Sequence, residues 1–466
     1  MQAGIGASTT EVASADEVRR FKGRTLARRS DEDAMARAGR RGHHARSPEP
    51  LSTLCLRVMA ECFATRPLIN RVPSHQVTQL TSMLDLNLDI EVAAANIYDE
   101  NYWRRKALAE NWKHLEIAHH GLTWKQLYFE KKIQQLLEDF IPDEELAPES
   151  KLDDIYEDDE DDFDGEHGES KRREPSVSEE VILAHLRAGQ DYVFQLNISQ
   201  LLSHIDVHVL FRHLSNLSRF CLTYGVRHVG MKYDRSLFGI KMSDTTSLAR
   251  CLKETHTLTT LALPSNLIDD DLLRMLMSGL VSNETVTSLD LSHNKITNHG
   301  VRLIAKLLGP KSILTSLDLS NNALHVEAGR FLGRALRRNS SLLELNLRLN
   351  RLSDEGGSLI FEGLQSNSAL SILNVSCNSL GERSAQGLAT ALATEHSALT
   401  AVDVSCNDLS EEDGQQILQV LERECRLVSL DLRKNMLEES AAAISEIVKK
   451  VELQVKRSGM DAGAFK

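Results

Sequence analysis

The C-terminal part of the chain repeats one pattern of apolar and polar positions. The first copy reads Leu258-x-x-Leu261-x-Leu263-x-x-Asn266-x-Ile268. The asparagines of the six further copies are Asn294, Asn322, Asn350, Asn378, Asn407 and Asn435. From one copy to the next, the asparagine advances by 28, 28, 28, 28, 29 and 28 residues. A nearly fixed period of this length predicts a stack of similar units, in which each unit packs on its neighbours.

Each repeat combines two kinds of periodicity. The alternation around Leu261 and Leu263 predicts a short strand whose leucines point inward, and the asparagine turns inward after it to bond open backbone groups. Later positions, such as Ile304 and Leu308, follow helical spacing. Each unit is therefore predicted to be strand, turn and helix. The pattern resembles the ribonuclease-inhibitor class of leucine-rich repeats, an α/β solenoid with parallel strands on a concave face and helices on a convex face.

The segment 51–142 has a different pattern. An apolar stripe from Leu51 to Phe63 predicts a helix that ends near Pro67, and a second helix is predicted after Pro73. All three tryptophans of the chain lie in this segment, which predicts a small all-helical domain with an aromatic core. Part of the aromatic set could instead serve in partner docking, because Trp and Tyr are enriched in binding hot spots. The candidates are Trp103, Trp112, Trp124 and Tyr128.

Composition sets the remaining boundaries. Residues 1–50 are basic and poor in large apolar side chains, which predicts a disordered tail that is either inert or a tether to an acidic surface. Residues 143–174 hold 16 acidic and 4 basic residues, which predicts an extended linker. We expect an N-terminal cap with one or two degenerate repeats at 175–257, seven repeats at 258–437, and a capping helix with a tail at 438–466. The best degenerate strand is Leu217-x-x-Phe220-x-Leu222, followed by a loop that includes Gly230, Met231, Tyr233, Phe238 and Gly239.

Charge and cysteine usage exclude several protein classes. The net charge of −13 is concentrated in 143–174, and we see no large basic face of the kind that binds nucleic acid. We see no apolar stretch of about 18 residues, so no membrane span is expected. The seven cysteines include no CxxC pair, which predicts a reduced, intracellular protein. Cys377 and Cys406, each just before a repeat asparagine, are interpreted as small space-filling residues.

The search for catalytic and metal-binding motifs is negative. The sequence contains neither a GxxxxGK phosphate loop nor a GxSxG nucleophile elbow. His114, Glu116, His119 and His120 resemble a zinc helix, but the histidines are five and six residues apart, whereas zinc helices place them four apart. We therefore predict no catalytic residues, no cofactor, no metal site and no enzymatic activity.

The concave face is the predicted binding surface. Its central column reads Ala262, Asp290, Asp318, Asn346, Asn374, Asp403 and Asp431, with Arg348 beside it. One interpretation is an acidic and polar groove for a basic or helical partner segment. The alternative is that these side chains bond to neighbouring serines and backbone within the sheet face. Both can hold at once.

Two segments outside the repeat consensus resemble a known family. They are Tyr98-x-x-x-Tyr102-Trp103 with Trp112 and His120-Gly121-x-x-Trp124-Lys125-x-x-Tyr128-Phe129-Glu130, and Tyr224-Gly225-Val226 with Gly230-Met231-x-Tyr233 and Leu237-Phe238-Gly239. Both are similar to the leucine-rich-repeat subunits of the nexin–dynein regulatory complex, over about residues 65–440. The resemblance implies a scaffold in the axoneme of motile cilia and flagella, within the cytoplasm and cytoskeleton. Its partners would be other subunits of that complex, the doublet microtubule environment and inner-arm dynein.

Two other functions fit parts of the pattern. A small helical domain followed by leucine-rich repeats is also the plan of F-box substrate receptors of ubiquitin ligases, although only Val72-Pro73 stands where an F-box opens with Leu-Pro. Repeats of 28–29 residues with an acidic tract are also similar to the activator of the Ran GTPase. Here, however, the acidic run precedes the repeats, and no clear equivalent of the activating motif is found.

Overall fold

The computed structural model describes residues 49–113, 115–140, 177–225, 235–423 and 425–457. The predicted tail up to residue 48, the acidic linker and the loop residues Gly230, Met231 and Tyr233 lie outside these ranges. The described residues form two compact units. The first contains the described residues up to Leu136 together with Val177–Gln195, and the second contains 137–140 and the described residues from Leu196 onwards.

The first unit is helical in the part of the chain that is described. Its α-helices are α1 (Leu51–Glu61), α2 (Ser74–Met83), α3 (Ile90–Asn96), α4 (Glu100–Ala109), α5 (Trp124–Asp139) and α6 (Glu179–Gly189). Pro73 directly precedes α2, so the helix predicted there is confirmed. The carboxylates of Asp89 and Asp99 accept hydrogen bonds from first-turn amides of α3 and α4. Such caps satisfy amides that have no partner within the helix, and they fix where α3 and α4 begin.

The apolar stripe of α1 only partly enters the core. Leu56 and Phe63 are buried, whereas Leu51 is 76% exposed and Val58 is 58% exposed. The helix packs on α2, and that contact covers one side of α1. The stripe therefore predicts the helix correctly but overstates how much of it is covered.

An aromatic cluster forms the centre of the helical unit. Trp103 is fully buried, and its ring centroid lies 5.4 Å from the centroids of Tyr102, Tyr128 and Phe129. The indole Nε1–H of Trp103 donates to the carbonyl of Ile97 at 2.9 Å. Aromatic pairs at this separation add to the stabilisation from burial, and the hydrogen bond satisfies the polar end of the ring.

The buried carboxylate of Glu130 joins the segment 177–195 to the helical core. Its Oε1 accepts from the backbone amides of Phe194 at 3.0 Å and Gln195 at 3.1 Å, and its Oε2 contacts the His120 ring. A buried carboxylate requires such partners, because its charge is costly to remove from water. In addition, α6 packs on α3. The residues 177–195 therefore group with the helical unit, within the range 175–257 that the sequence assigns to a cap.

The described part of the second unit builds one nine-stranded sheet in the order β1 to β9. The strands are β1 (Gln195–Leu201), β2 (Arg219–Tyr224), β3 (Thr260–Ala262), β4 (Ser288–Asp290), β5 (Ser316–Asp318), β6 (Glu344–Asn346), β7 (Ile372–Asn374), β8 (Ala401–Asp403) and β9 (Ser429–Asp431). From β2 onward each strand pairs in parallel with the next. The register aligns Leu261, Leu289 and Leu317, all buried. The seven predicted repeat strands and the degenerate strand at Phe220 are confirmed.

One strand was not predicted individually. The order Val193-x-x-Leu196-x-Ile198 repeats the apolar spacing, and Leu196 and Ile198 are buried. It lacks the asparagine that marks the later repeats, and Leu196 precedes Phe220 by only 24 residues. The short apolar pattern was therefore the only signal for β1.

Helices alternate with the strands along the second unit. They are α7 (Val207–His213), α8 (Met242–Glu254), α9 (Asp270–Leu280), α10 (Asn298–Leu307), α11 (Val326–Leu336), α12 (Ser353–Leu364), α13 (Glu382–Leu392), α14 (Glu411–Arg423) and α15 (Glu439–Arg457). Glycines allow α11 and α12 to approach closely, since a Cβ on Gly329 would lie 2.3 Å from the Gly356 carbonyl oxygen. The helix predicted to cap the last repeat is α15, which buries Ile444 and Val448.

The asparagine of each repeat connects neighbouring repeats. The Nδ2 group of Asn322 donates to the carbonyl of Leu291 in the preceding repeat at 3.0 Å, and to its own repeat at Leu319 and Ser320. Its Oδ1 accepts from the amide of Ile296 at 3.0 Å. The other asparagines bridge to the preceding repeat in the same way: Asn266, Asn294, Asn350, Asn378, Asn407 and Asn435. We call this series the asparagine ladder.

The residue before each ladder asparagine has left-handed backbone geometry. Its φ lies between 50° and 60° at Ser265, His293, Asn321, Leu349, Cys377, Cys406 and Lys434. This region is costly for residues other than glycine, asparagine and aspartate. It persists only where the surrounding structure over-determines it, and here the bonds of the adjacent asparagine supply that constraint.

We expect Asn322→Ala to lower the free energy of unfolding by about 3 kcal/mol, because it leaves several buried backbone groups without a partner. The measurement is urea unfolding followed by circular dichroism. Asn435→Ala is the matched control, since Asn435 makes bonds of the same kind but is only half-buried. Water can replace part of what that variant loses, so its cost should be smaller. An equal loss of unfolding free energy in the two variants would show that the contribution of a ladder asparagine does not depend on its burial.

Candidate functional site

The parallel register aligns the predicted central column in one row. Ala262 pairs with Asp290 and Asp290 with Asp318, and the row continues through Asn346, Asn374, Asp403 and Asp431. Every member is partly exposed, whereas the residue before it in each strand lies on the inner side of the sheet. We call the solvent-facing side of β3–β9 that carries this row the strand face. The structure thus brings all the predicted residues of the column together.

Each polar member of the row also bonds to its own turn. The Oδ1 atoms of Asp290 and Asp318 accept from the amide two residues further on, at 2.8 Å in both cases. The same bond is made by Asn346, Asn374, Asp403 and Asp431. Aspartate and asparagine commonly stabilise turns in this way. The structural interpretation of the column therefore holds, because one side-chain oxygen of each polar member is used within its own turn.

Two aspartates of the row receive a second hydrogen bond from a neighbouring repeat. Asn346 Nδ2 donates to Asp318 Oδ2 at 2.7 Å, and Asn374 Nδ2 donates to Asp403 Oδ2 at 3.0 Å. A neutral amide orients a carboxylate without cancelling its charge. Asp318 and Asp403 therefore present fixed negative charges on the strand face.

The aspartate at the end of the row is paired with a cation. Arg433 donates to Asp431 from Nε at 2.9 Å and 3.0 Å, in a forked arrangement. The hydrogen bonds from Arg433 hold the pKa of Asp431 below its usual value. Arg348, the predicted basic member of the site, is exposed, and its amide bonds to Asn346. Among the described salt bridges the row contributes only Asp431, so Asp290, Asp318 and Asp403 carry the remaining acidic charge, and Arg433 also attracts Asp403 through space.

The predicted aromatic residues of the helical unit separate into two groups. Trp103 and Tyr128 are buried in the core. Trp112 and Trp124 are half-buried. Trp112 Nε1–H donates to Gln135 Oε1 at 3.0 Å, and the Arg104 guanidinium lies 5.6 Å from the Trp124 ring centroid. Only this second group reaches a surface that a partner could contact.

A buried lysine is a feature that the sequence did not indicate. The ammonium of Lys125 lies 4.0 Å from the centroid of the Tyr192 ring, and it donates to the carbonyls of Ala94 at 2.7 Å and Ile97 at 3.2 Å. Burial lowers the pKa of Lys125 to about 8. Since carbonyls and aromatic faces satisfy the cation, we assign Lys125 a structural role in the helical unit.

Within the described ranges, the structure contains no group of three or more His, Cys, Asp or Glu side chains arranged to hold a metal ion. Of the histidines that resemble a zinc helix, His120 contacts Glu130, and His114 lies outside the described residues. No helix in the described part of the chain has the length and apolar character needed to cross a membrane.

Two cysteines lie at equivalent positions on the strand face. Cys377 and Cys406, interpreted as space-filling residues, occupy the position before the ladder asparagine in successive repeats, and both are half-exposed. The only available signal was their equal position relative to Asn378 and Asn407.

Comparison with known proteins supports the identification by motif. A model of the leucine-rich repeat family matches residues 282–305 and 338–361. Dynein regulatory complex subunit 5 of Chlamydomonas reinhardtii is 36% identical over 228 residues, which are 48% of this chain and 50% of that protein. Its human counterpart is 31% identical over 262 residues, which are 50% of this chain and 46% of that protein. An internalin structure from Listeria monocytogenes aligns with 56% of this chain and 61% of its own, at 20% identity and a TM-score of 0.35.

The chain spans about half the length of the curated relatives it matches. The repeat period, the parallel sheet and the asparagine ladder establish the fold, and the relatives agree with the resemblance carried by the segments around Trp103 and Tyr224. The chain therefore has a leucine-rich-repeat fold, and over about half of its length it is similar to dynein regulatory complex subunit 5.

Proposed function

We propose that the chain is a non-enzymatic scaffold subunit of the nexin–dynein regulatory complex in motile cilia and flagella. The observation that carries this proposal is the 36% identity with dynein regulatory complex subunit 5 of Chlamydomonas. In this role it would bind neighbouring subunits in the axoneme, beside the doublet microtubules and inner-arm dynein. Through those contacts it would help to regulate the sliding of microtubules.

The strand face is the surface we propose for a partner. Charges at Asp290, Asp318 and Asp403 favour a basic segment, because complementary charge on the two surfaces increases the rate of association and suppresses wrong partners. Arg348 adds a donor that could engage a carboxylate of the same segment. The row is already fixed by turn bonds, so binding would require little ordering of these side chains.

The helical unit offers a second surface. Trp112 and Trp124 are half-buried, and Tyr98 is 69% exposed. Partly exposed aromatic side chains held by neighbours lose little conformational freedom on binding and are common anchors in interfaces. We propose that this surface docks a second subunit, whereas Trp103 and Tyr128 support it from the core.

The function is tested by localisation and extraction. We expect the tagged chain, expressed in a ciliated cell, to remain in the axoneme after the membrane is removed with detergent. High salt should release it together with the other subunits of the regulatory complex, because salt screens charged contacts. The measurement is immunoblotting of the detergent and salt fractions. A pool that is entirely detergent-soluble would contradict the scaffold function, and co-purification with a Skp-like adaptor would favour the F-box alternative.

The binding surface is tested by neutralising the row without breaking its turns. We expect the triple variant Asp290→Asn, Asp318→Asn and Asp403→Asn to fold normally but to be extracted at lower salt than the wild type. Asparagine already makes the same turn bond at Asn346 and Asn374, so the substitution keeps the turns while it removes the charges. At Asp318 and Asp403 it also replaces the Oδ2 acceptor of the bond from the neighbouring repeat. A loss of about 1–3 kcal/mol in binding, or roughly five- to 150-fold, is expected for three charge contacts. Alanine at the same positions would also remove the turn bonds and is less informative.

The matched control neutralises exposed acidic side chains on the helices, through Glu327→Gln and Glu362→Gln. Both carboxylates form exposed ion pairs with arginines, Arg330 and Arg337, and such pairs contribute little to stability. Unchanged extraction of the strand-face variant, or equal effects of the two sets, would place the interface elsewhere.

A further inference from the structure

Cys377 and Cys406 lie side by side on the strand face. The amide of Cys377 donates to the carbonyl of Ser405 at 3.0 Å, and the amide of Cys406 donates to the carbonyl of Arg433 at 2.8 Å. Parallel pairing therefore continues beyond the strands to the positions that directly precede the ladder asparagines. Neighbouring strands lie about 4.8 Å apart, and disulfides span Cα separations of roughly 4.4–6.8 Å. The backbone therefore holds the two cysteines at a separation suited to a disulfide.

At the positions that precede the ladder asparagines, side chains of adjacent repeats lie next to each other. Cys406 and Arg348 both lie close enough to Cys377 to act on the pKa of its thiol. Two repeats earlier, Asn321 Nδ2 lies 2.8 Å from His293 Nδ1 at the equivalent positions. The proximity of Cys377 and Cys406 therefore follows from the register between repeats.

The environment of this pair differs from that of Cys221 and Cys251 in its nearby arginines and in how strongly burial acts on the thiols. Burial raises the pKa of Cys251 to about 12 and that of Cys221 to about 11, so both thiols stay protonated at neutral pH. Cys377 and Cys406 are half-exposed and lie near Arg348 and Arg433. Desolvation raises the pKa of Cys377 as well, and the guanidinium of Arg348 acts in the opposite direction. The pair is therefore set apart by its accessibility to a reagent.

We propose that Cys377 and Cys406 form a dithiol modification site that a peroxide converts into an intramolecular disulfide. One thiolate attacks the peroxide, the O–O bond breaks, and a sulfenic acid forms with release of one water or alcohol. The second sulfur then displaces the sulfenic oxygen as water while the S–S bond forms. Overall, the two thiols lose two electrons and two protons, and the peroxide takes up both.

The disulfide would change the strand face locally. It links two adjacent repeats next to Asn374 and Asp403, close to the exposed guanidinium of Arg348. The disulfide would therefore be a covalent link between the two repeats on the face that we propose for binding.

The test treats the purified full-length chain with hydrogen peroxide and maps peptides by mass spectrometry without reduction. We expect a Cys377–Cys406 linked peptide, a loss of two titratable thiols, and recovery of both after reduction. Cys377→Ser and Cys406→Ser should each abolish the linked peptide. The double variant Cys55→Ser and Cys62→Ser, on the exposed side of the α1 region, should retain it.

A second measurement does not depend on variants. Phenylarsine oxide bridges two thiols only when they are neighbours, so one equivalent should bind and should block formation of the linked peptide. Accumulation of sulfinic acid at Cys377 or Cys406 without a linked peptide would overturn the proposal. So would linked peptides found only in covalent dimers on a non-reducing gel, or no reaction at this pair.

Discussion

The stacking of the repeats depends on the amide side chain of one asparagine per repeat. Each ladder asparagine bonds to the carbonyl and amide groups that the chain leaves open as it turns out of a strand, and it reaches into the preceding repeat to do so. Buried backbone groups must find partners, and no apolar side chain can supply both a donor and an acceptor. The period of 28 residues is therefore maintained by hydrogen bonding as well as by leucine packing.

The chemistry of the strand face follows from that constraint. Because the ladder fixes the register, residues at equivalent positions of successive repeats become neighbours. Each row on the surface therefore consists of one residue from each repeat. Aspartate and asparagine in one row give a line of fixed charges, as at Asp318 beside Asn346. Cysteines at another set of equivalent positions become neighbours across two repeats. A substitution in one repeat therefore alters a surface shared with two others.

The sequence predicts the parts of the structure that depend on repetition. The strands from β3 onward and the column from Ala262 to Asp431 follow from the period alone. The sequence does not indicate structural features whose stabilising contacts lie outside the repeat pattern. The segment 177–195 belongs with the helical unit because its amides bond to Glu130, about 60 residues earlier in the chain. The strand β1 has no asparagine to mark it. The proximity of Cys377 and Cys406 becomes evident only when the register between repeats is known.

The most direct test of the strand face as a binding surface is carbodiimide cross-linking of demembranated axonemes, followed by mass spectrometry. This reagent joins carboxylates to lysines that already touch. We predict cross-links from Asp290, Asp318 or Asp403 to lysines of a neighbouring subunit. Cross-links confined to helix carboxylates such as Glu327 and Glu362 would contradict the central claim and assign the interface to the helices.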